Sequence, residues 1–178
     1  MHARAGGASP YDMGKDKGRF DAERILDAAC LASGLEPRAT ERLAKMLDDA
    51  DSGVRYWAAM GLLMRGEKAA GLHRAALASR LTDGSAAVRI AAAEALGRFG
   101  DGKDLGRAMD VLVPLCDPVR AGAYAAVEAL NAVDAIGEKA RPWLQQILAL
   151  PDEDPKAPER ARSEYIRRMR QLLAKRLA

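Results

Sequence analysis

Histidine and cysteine number only two each in 178 residues. His2 and His73 stand far apart, and Cys30 and Cys116 lack a Cys-x-x-Cys spacing, so there is no metal-ligand cluster and no disulfide framework. Both cysteines fall in predicted helices and are expected to be small buried hydrophobes. Aromatic residues make up 4% of the chain, few for stacking on single-stranded nucleic acid. No apolar run approaches the roughly 18 residues that cross a bilayer. The opening Met-His-Ala-Arg-Ala-Gly-Gly has no apolar signal core. Read as a complete chain, the protein is expected to be soluble and cytoplasmic, with no catalytic constellation and no cofactor.

Charge is nearly balanced overall, at a formal +3, yet unevenly placed. From Lys156 to Ala178 eight Lys/Arg face two Glu, a local +6, so the preceding residues together carry −3. A nucleic-acid reading would therefore rest on the last helix alone, and nucleic acid is not the expected partner.

The chain does have a period. Leu47-Asp-Asp-Ala-Asp-Ser-Gly-Val54-Arg55 followed by Ala58-Ala59 reappears 34 residues later as Leu81-Thr-Asp-Gly-Ser-Ala-Ala-Val88-Arg89 followed by Ala92-Ala93. Each block closes at a glycine, Gly66 and Gly100, and Glu94-Ala95-Leu96 returns as Glu128-Ala129-Leu130. A fixed period in an Ala/Leu-rich chain of 49% hydrophobic content is the mark of stacked helical repeats, whose units cannot bury their apolar faces singly. The fold expected is all-α: a solenoid of about three helical hairpins with flanking helices, preceded by an irregular arm.

Residues 1–20, rich in Gly, Lys and Asp, form that arm, and 21–150 form the repeat domain. Its first helix starts after Asp21 as N-cap and runs with a stripe of Ile25, Leu26, Ala29 and Cys30 to Ser33-Gly34. Pro37 suits the first turn of the next helix, striped by Leu43, Met46 and Leu47, and its partner spans about Val54 to Met64. The second pair is read as Ala69 to Leu81 and Ala87 to Phe99. The third is read as Leu105 to Leu115 and Val119 to Ile136, broken at Asp117-Pro118. A further helix near Arg141 to Leu150 packs Trp143, Leu144, Ile147 and Leu148. Residues 151–158, with three prolines and three acids, read as an extended linker that separates the body from a basic amphipathic helix at 159–178. The pairs Ala58-Ala59, Ala92-Ala93 and Ala125-Ala126 set the packing distance between stacked helices.

The repeat-periodic charges Asp49, Arg55, Asp83, Arg89, Glu94 and Glu128 are expected to form a structural ladder, an Arg of one repeat pairing with an Asp of a neighbouring turn. Tyr11, Met13 and Phe20 in the arm, with Tyr56 and Trp57, are candidate docking residues, although a large aromatic on a helical stripe is usually packed. In the last helix Tyr165, Ile166, Met169, Leu172, Leu173 and Leu177 lie on one stripe. Arg160, Arg167, Arg168, Arg170, Lys175 and Arg176 cover much of the rest. Such a helix serves to cap the array, or to contact an acidic partner or anionic surface.

The pattern Asp-x-x-x-x-Val-Arg-x-x-Ala-Ala with a closing Gly resembles the HEAT-like repeat family over about residues 38 to 137. That resemblance implies a scaffold or recognition surface and seldom an active site. The His-Glu pairs of the iron-binding HEAT-like hydroxylases are absent, since neither His2 nor His73 precedes a Glu. A narrower resemblance lies in Ser9-Pro10-Tyr11-Asp12-Met13-Gly14-Lys15-Asp16, Glu23-Arg24-Ile25-Leu26, Ala32-Ser33 and the wording of the repeats. Together these are similar to the helical C-terminal extension of bacterial arylsulfatase-type sulfatases. It implies a partner, the sulfatase catalytic domain, which carries the calcium and the formylglycine nucleophile and is absent from this chain. A detached part of an exported sulfatase would be periplasmic or secreted.

Cys116-Asp-Pro118-Val-Arg120 matches the Cys-x-Pro-x-Arg pattern that sulfatases convert to formylglycine, but Ala121-Gly-Ala-Tyr124-Ala follows where the family has a Leu, a Thr and a Gly. The same residues fill a turn-to-helix slot with Asp117 as N-cap and Pro118 at the first helical position. The function expected is thus a non-catalytic accessory domain of a sulfatase. The alternative is a free-standing interaction adaptor, and anionic-surface or nucleic-acid binding through the last helix is more distant.

Overall fold

The computed structural model describes residues 21–156 and 164–177 together with Lys15, and among these every regular element is a helix. The order is α1 (Ala22–Ser33), a 3-10 turn at Pro37–Ala39 leading into α2 (Thr40–Met46), α3 (Ser52–Met64), α4 (Glu67–Leu72), and α5 (Arg74–Ser79) with a 3-10 turn at Arg80–Thr82. Then come α6 (Ala86–Phe99), α7 (Gly102–Leu115), the short α8 (Pro118–Ala121) and α9 (Ala123–Ile136). A 3-10 stretch at Gly137–Trp143, α10 (Leu144–Leu148) and α11 (Tyr165–Leu177) complete it.

The helices pair as hairpins that stack. The second helices α3, α6 and α9 lie side by side, α1 packs on α3, and α11 packs on α9 and α10. Acidic residues begin α1, α3 and α7, accepting otherwise orphaned N–H groups: Asp21 takes Arg24 N, Asp51 takes Gly53 N, and Asp101 takes both Lys103 N and Asp104 N. Gly66 and Gly137 end α3 and α9 at φ of 75° and 70°, where a side chain would be strained.

Small residues bring the layers together. Ala58, Ala59, Ala92 and Ala93 are completely buried. A Cβ on Gly97 would sit 2.5 Å from Ile136 Cδ1, and one on Gly61 would sit 2.8 Å from a Leu43 methyl. No room remains for a larger side chain, so Ala92→Leu should lower stability by about 1–3 kcal/mol; a thermal melt unchanged from the parent would contradict this packing.

Four readings of the sequence need correction. The buried face of α1 is Ala28 and Ala32 with Leu31 packed beside them, whereas Leu26 is 63% exposed and Cys30 is exposed. The reason is the partner: Gly61 of α3 approaches Ala32 so closely that an added Cβ would lie 3.1 Å from it. The helix expected from Ala69 to Leu81 breaks at His73 (φ −110°, ψ 24°), just after Gly71, whose helix propensity is low. The helix expected from Val119 to Ile136 breaks at Gly122 (φ 81°), leaving α8 as a separate turn. The irregular Pro151–Lys156 stretch does not hold the last helix apart, because Arg170 of α11 donates to Cys116 O (3.0 Å), Asp152 Oδ1 (3.1 Å) and Leu150 O.

Candidate interaction surface

The periodic charges meet at the turns. Arg55 donates from Nε and Nη2 to both oxygens of Asp83, one repeat later, at 2.7 and 2.9 Å, and from Nη1 to the carbonyl oxygens of Asp49 and Ala50. Arg89 repeats the backbone half of that pattern, donating to Asp83 O at 2.6 Å. Asp49 accepts Asp51 N at 2.8 Å and also takes the Arg24 guanidinium. Burial works to raise the Asp83 carboxyl, but the Arg55 hydrogen bond, Ser85 N–H and the nearby cations hold it below its ordinary value. One period on, Asp117 caps Val119 N at 2.9 Å, but the matching arginine position is Ala123, so the cationic half ends there.

Glu94 and Glu128 stand apart from these turns, on α6 and α9. Burial pushes both carboxyls up, with Arg98 at 3.0 Å drawing Glu94 partly back. Among the described residues Glu128 has no cation partner, and its side chain is exposed beyond a partly buried stem. Tyr56 of α3 lies within electrostatic reach of both, its hydroxyl pushed up by burial and then by Glu128 and Glu94. Tyr56 and Trp57 pack against the core and meet edge to face, with ring centroids 5.4 Å apart. Tyr124, two repeat periods after Tyr56 and near the start of α9, is 82% exposed.

The basic helix presents less free charge than its sequence suggests. Arg170 is 3% exposed and directed inward, which removes it from the expected contact set: Nη1 donates to Leu150 O and Asp152 Oδ1, Nη2 donates to Cys116 O, and Nε is buried without a partner among the described residues. Arg167 pairs with Asp152, Arg168 with Glu164, and Arg176 with Asp134 at 2.6 Å, while Lys175 is exposed. Tyr11, Met13, Phe20 and Arg160 lie outside the described residues, as does the expected start of the helix at Glu159.

Sequence reasoning missed Arg65, whose guanidinium donates to the carbonyl oxygens of Leu31, Ala32, Glu36 and Gly61 and so ties α1 to the end of α3. Its one signal was position, directly before the closing Gly66. Arg74, joined to Asp101 and Asp104, was also missed, because that pairing spans 27 residues and has no periodic counterpart.

Cys116 is completely buried, and burial pushes its thiol up to about 12 despite Arg170. Asp117 caps the following turn and Pro118 starts it, the arrangement read from sequence. Iodoacetamide at mildly alkaline pH should therefore label Cys30 and spare Cys116 in the native protein; peptide mapping with Cys116 modified first would contradict this burial. Among the described residues no group of three or more His, Cys, Asp or Glu could hold a metal ion, and no helix is long and apolar enough to cross a membrane.

Fold and surface together define a stacked helical-repeat protein, a class that serves as scaffold or interaction module and is typically non-catalytic. The family model for HEAT repeats matches residues 40–131 and again 74–162, two matches offset by one repeat period, and the chain belongs to the HEAT repeat family. No curated protein matches it.

Proposed function

We propose that this chain is a docking module that contacts its partner protein across the row of second helices α3, α6 and α9, and that the partner is the catalytic domain of a sulfatase. The observation that carries the docking face is the convergence of Tyr56, Glu94 and Glu128, one from each hairpin, with Glu128 raised by burial yet left without a cation among the described residues. A partner bearing Lys or Arg would supply that cation, and the pairing would offset the desolvation of the carboxylate. The sulfatase identity is supported by the wording of residues 9–16, 23–26 and the repeats. It is also supported by the apolar stripe of α1, where Leu26 and Cys30 remain uncovered. In this reading α11 closes the far end of the array as its cap.

The test is co-expression with a sulfatase catalytic domain from the same genome, followed by size-exclusion chromatography. Co-elution is expected, and it should be lost in a Glu94→Arg, Glu128→Arg variant that melts like the parent. No co-elution sinks the sulfatase partner. Co-elution that survives the charge reversals moves the contact off this face. A free-standing adaptor would use the same surface on an unrelated basic partner.

A further inference from the structure

On a different part of the molecule, the connection between α1 and α2 meets the end of α3 and the start of α4 around an open groove of about 510 Å³. That size lies within the range of sites that hold small ligands and short peptide anchors. Its apolar lining includes Leu35, Pro37, Met64 and Leu72, with Leu35 52%, Met64 41% and Leu72 66% exposed. Large apolar side chains gathered at one spot and left uncovered mark an interaction surface more often than scattered ones do.

Leu35 is unusual in a second way. Its φ is +55°, the left-handed region, although Gly34 beside it, which would adopt that conformation freely, sits at −66°. A leucine held there stores strain, and strain retained in a ligand-facing segment is a reason to look for function. The strain keeps an apolar side chain at the groove where a glycine would offer none.

The groove is also cationic. Arg65 lines it and, among the described residues, donates to backbone carbonyl oxygens and to no carboxylate, and burial lowers its pKa despite the nearby Glu36 charge. Lys68 lines it too, is exposed and has no partner among the described residues. Of the five guanidinium N–H groups of Arg65, four are used, leaving one Nη2 hydrogen for a further acceptor.

We propose that this groove binds a short segment of a partner protein in which an apolar side chain is followed by a carboxylate. The apolar anchor seats among Leu35, Met64 and Leu72, and the carboxylate accepts from Lys68 Nζ and the remaining Arg65 donor. Charge complementarity sets the occupant: the lining holds two cations and no acid, with Glu36 lying outside it, so a basic segment would meet like charge.

Fluorescence polarisation with short fluorescein-labelled Leu/Glu peptides, against matched Leu/Lys peptides, tests this on the full chain. The Leu/Glu peptide is expected to saturate and the Leu/Lys peptide to bind at least about tenfold more weakly. Leu72→Ser should weaken the first about tenfold, and Lys68→Glu should reverse the preference. Leu35→Gly is the decisive variant, because it relieves backbone strain and so melts no lower than the parent, yet removes the anchor contact and should also weaken binding about tenfold. Equal binding of both peptides, binding of neither, or a Leu35→Gly protein that binds as the parent does would overturn the proposal. Glu128→Arg should leave peptide binding unchanged, which keeps this site distinct from the face of α3, α6 and α9.

Discussion

Asp83→Ala is expected to destabilise the protein by about 3–5 kcal/mol, the cost of leaving a largely buried cation without its counter-ion. The side chains of Arg55 and Asp83 are 15% and 3% exposed, and the carboxylate takes two guanidinium N–H groups together with Ser85 N at 2.8 Å. Removing it strands Arg55 between two turns, where water cannot fully replace what is lost. In a chain of this length the melting temperature should fall by roughly 10 °C. Replacing both partners, as Arg55→Met with Asp83→Ala, should cost less than Asp83→Ala alone, since no unpaired charge remains. A single-variant loss under about 1 kcal/mol would mean that the ladder contributes little to the stack.

The same pair sets an acid dependence. Asp83 has a carboxyl held below its unfolded value, so its contribution is present above the unfolded pKa and is lost as pH falls through the folded one. Glu94 and Glu128 act oppositely, because their carboxyls are raised: they are least unfavourable at low pH, and their cost appears as pH rises through the folded values. Asp83→Asn should therefore flatten the acid limb of the stability profile, whereas Glu128→Gln should raise the melting temperature at neutral pH. Parallel acid limbs for Asp83→Asn and the parent would contradict the assignment.

The second large effect is expected at Arg170→Met. This arginine is a buried polar link between α11 and the preceding repeats, beside the more exposed Arg176–Asp134 pair, and reaches Cys116 O, Leu150 O and Asp152 from a position 3% exposed. Ile166, Met169, Leu173 and Leu177 supply the apolar contact of the helix. Without the guanidinium the Cys116 carbonyl loses its partner in a dry site, at about 2–3 kcal/mol. Hydrogen exchange should show the amides of α11 opening faster in the variant while those of α6 keep their protection. Unchanged α11 protection would mean that apolar packing and the Arg176–Asp134 pair hold the helix without Arg170.

Local signals carried much of this molecule. The 34-residue period, the acidic caps, the closing glycines at 66 and 137 and the alanine pairs each act within a turn or two of helix, so the order of elements was readable from residues alone. Where two local signals competed, reading failed. α1 has two apolar stripes, Ile25-Leu26-Ala29-Cys30 and Ala28-Leu31-Ala32, and nothing within the helix ranks them. Gly61 of α3 does, by admitting only the small-residue face. Long-range polar partners were likewise silent: Arg65 bonds carbonyl oxygens up to 34 residues away, and Arg170 bonds one 54 residues away. The charge of Arg170 read as surface charge until the packing of α11 turned it inward. The sequence by itself determined that this is a helical-repeat array of the HEAT type, because periodicity and capping are properties of short stretches of chain. Which apolar face is covered, which cation is spent within the fold, and where a groove stays open or a carboxylate stays without a cation among the described residues were decided only by the stacking of the hairpins.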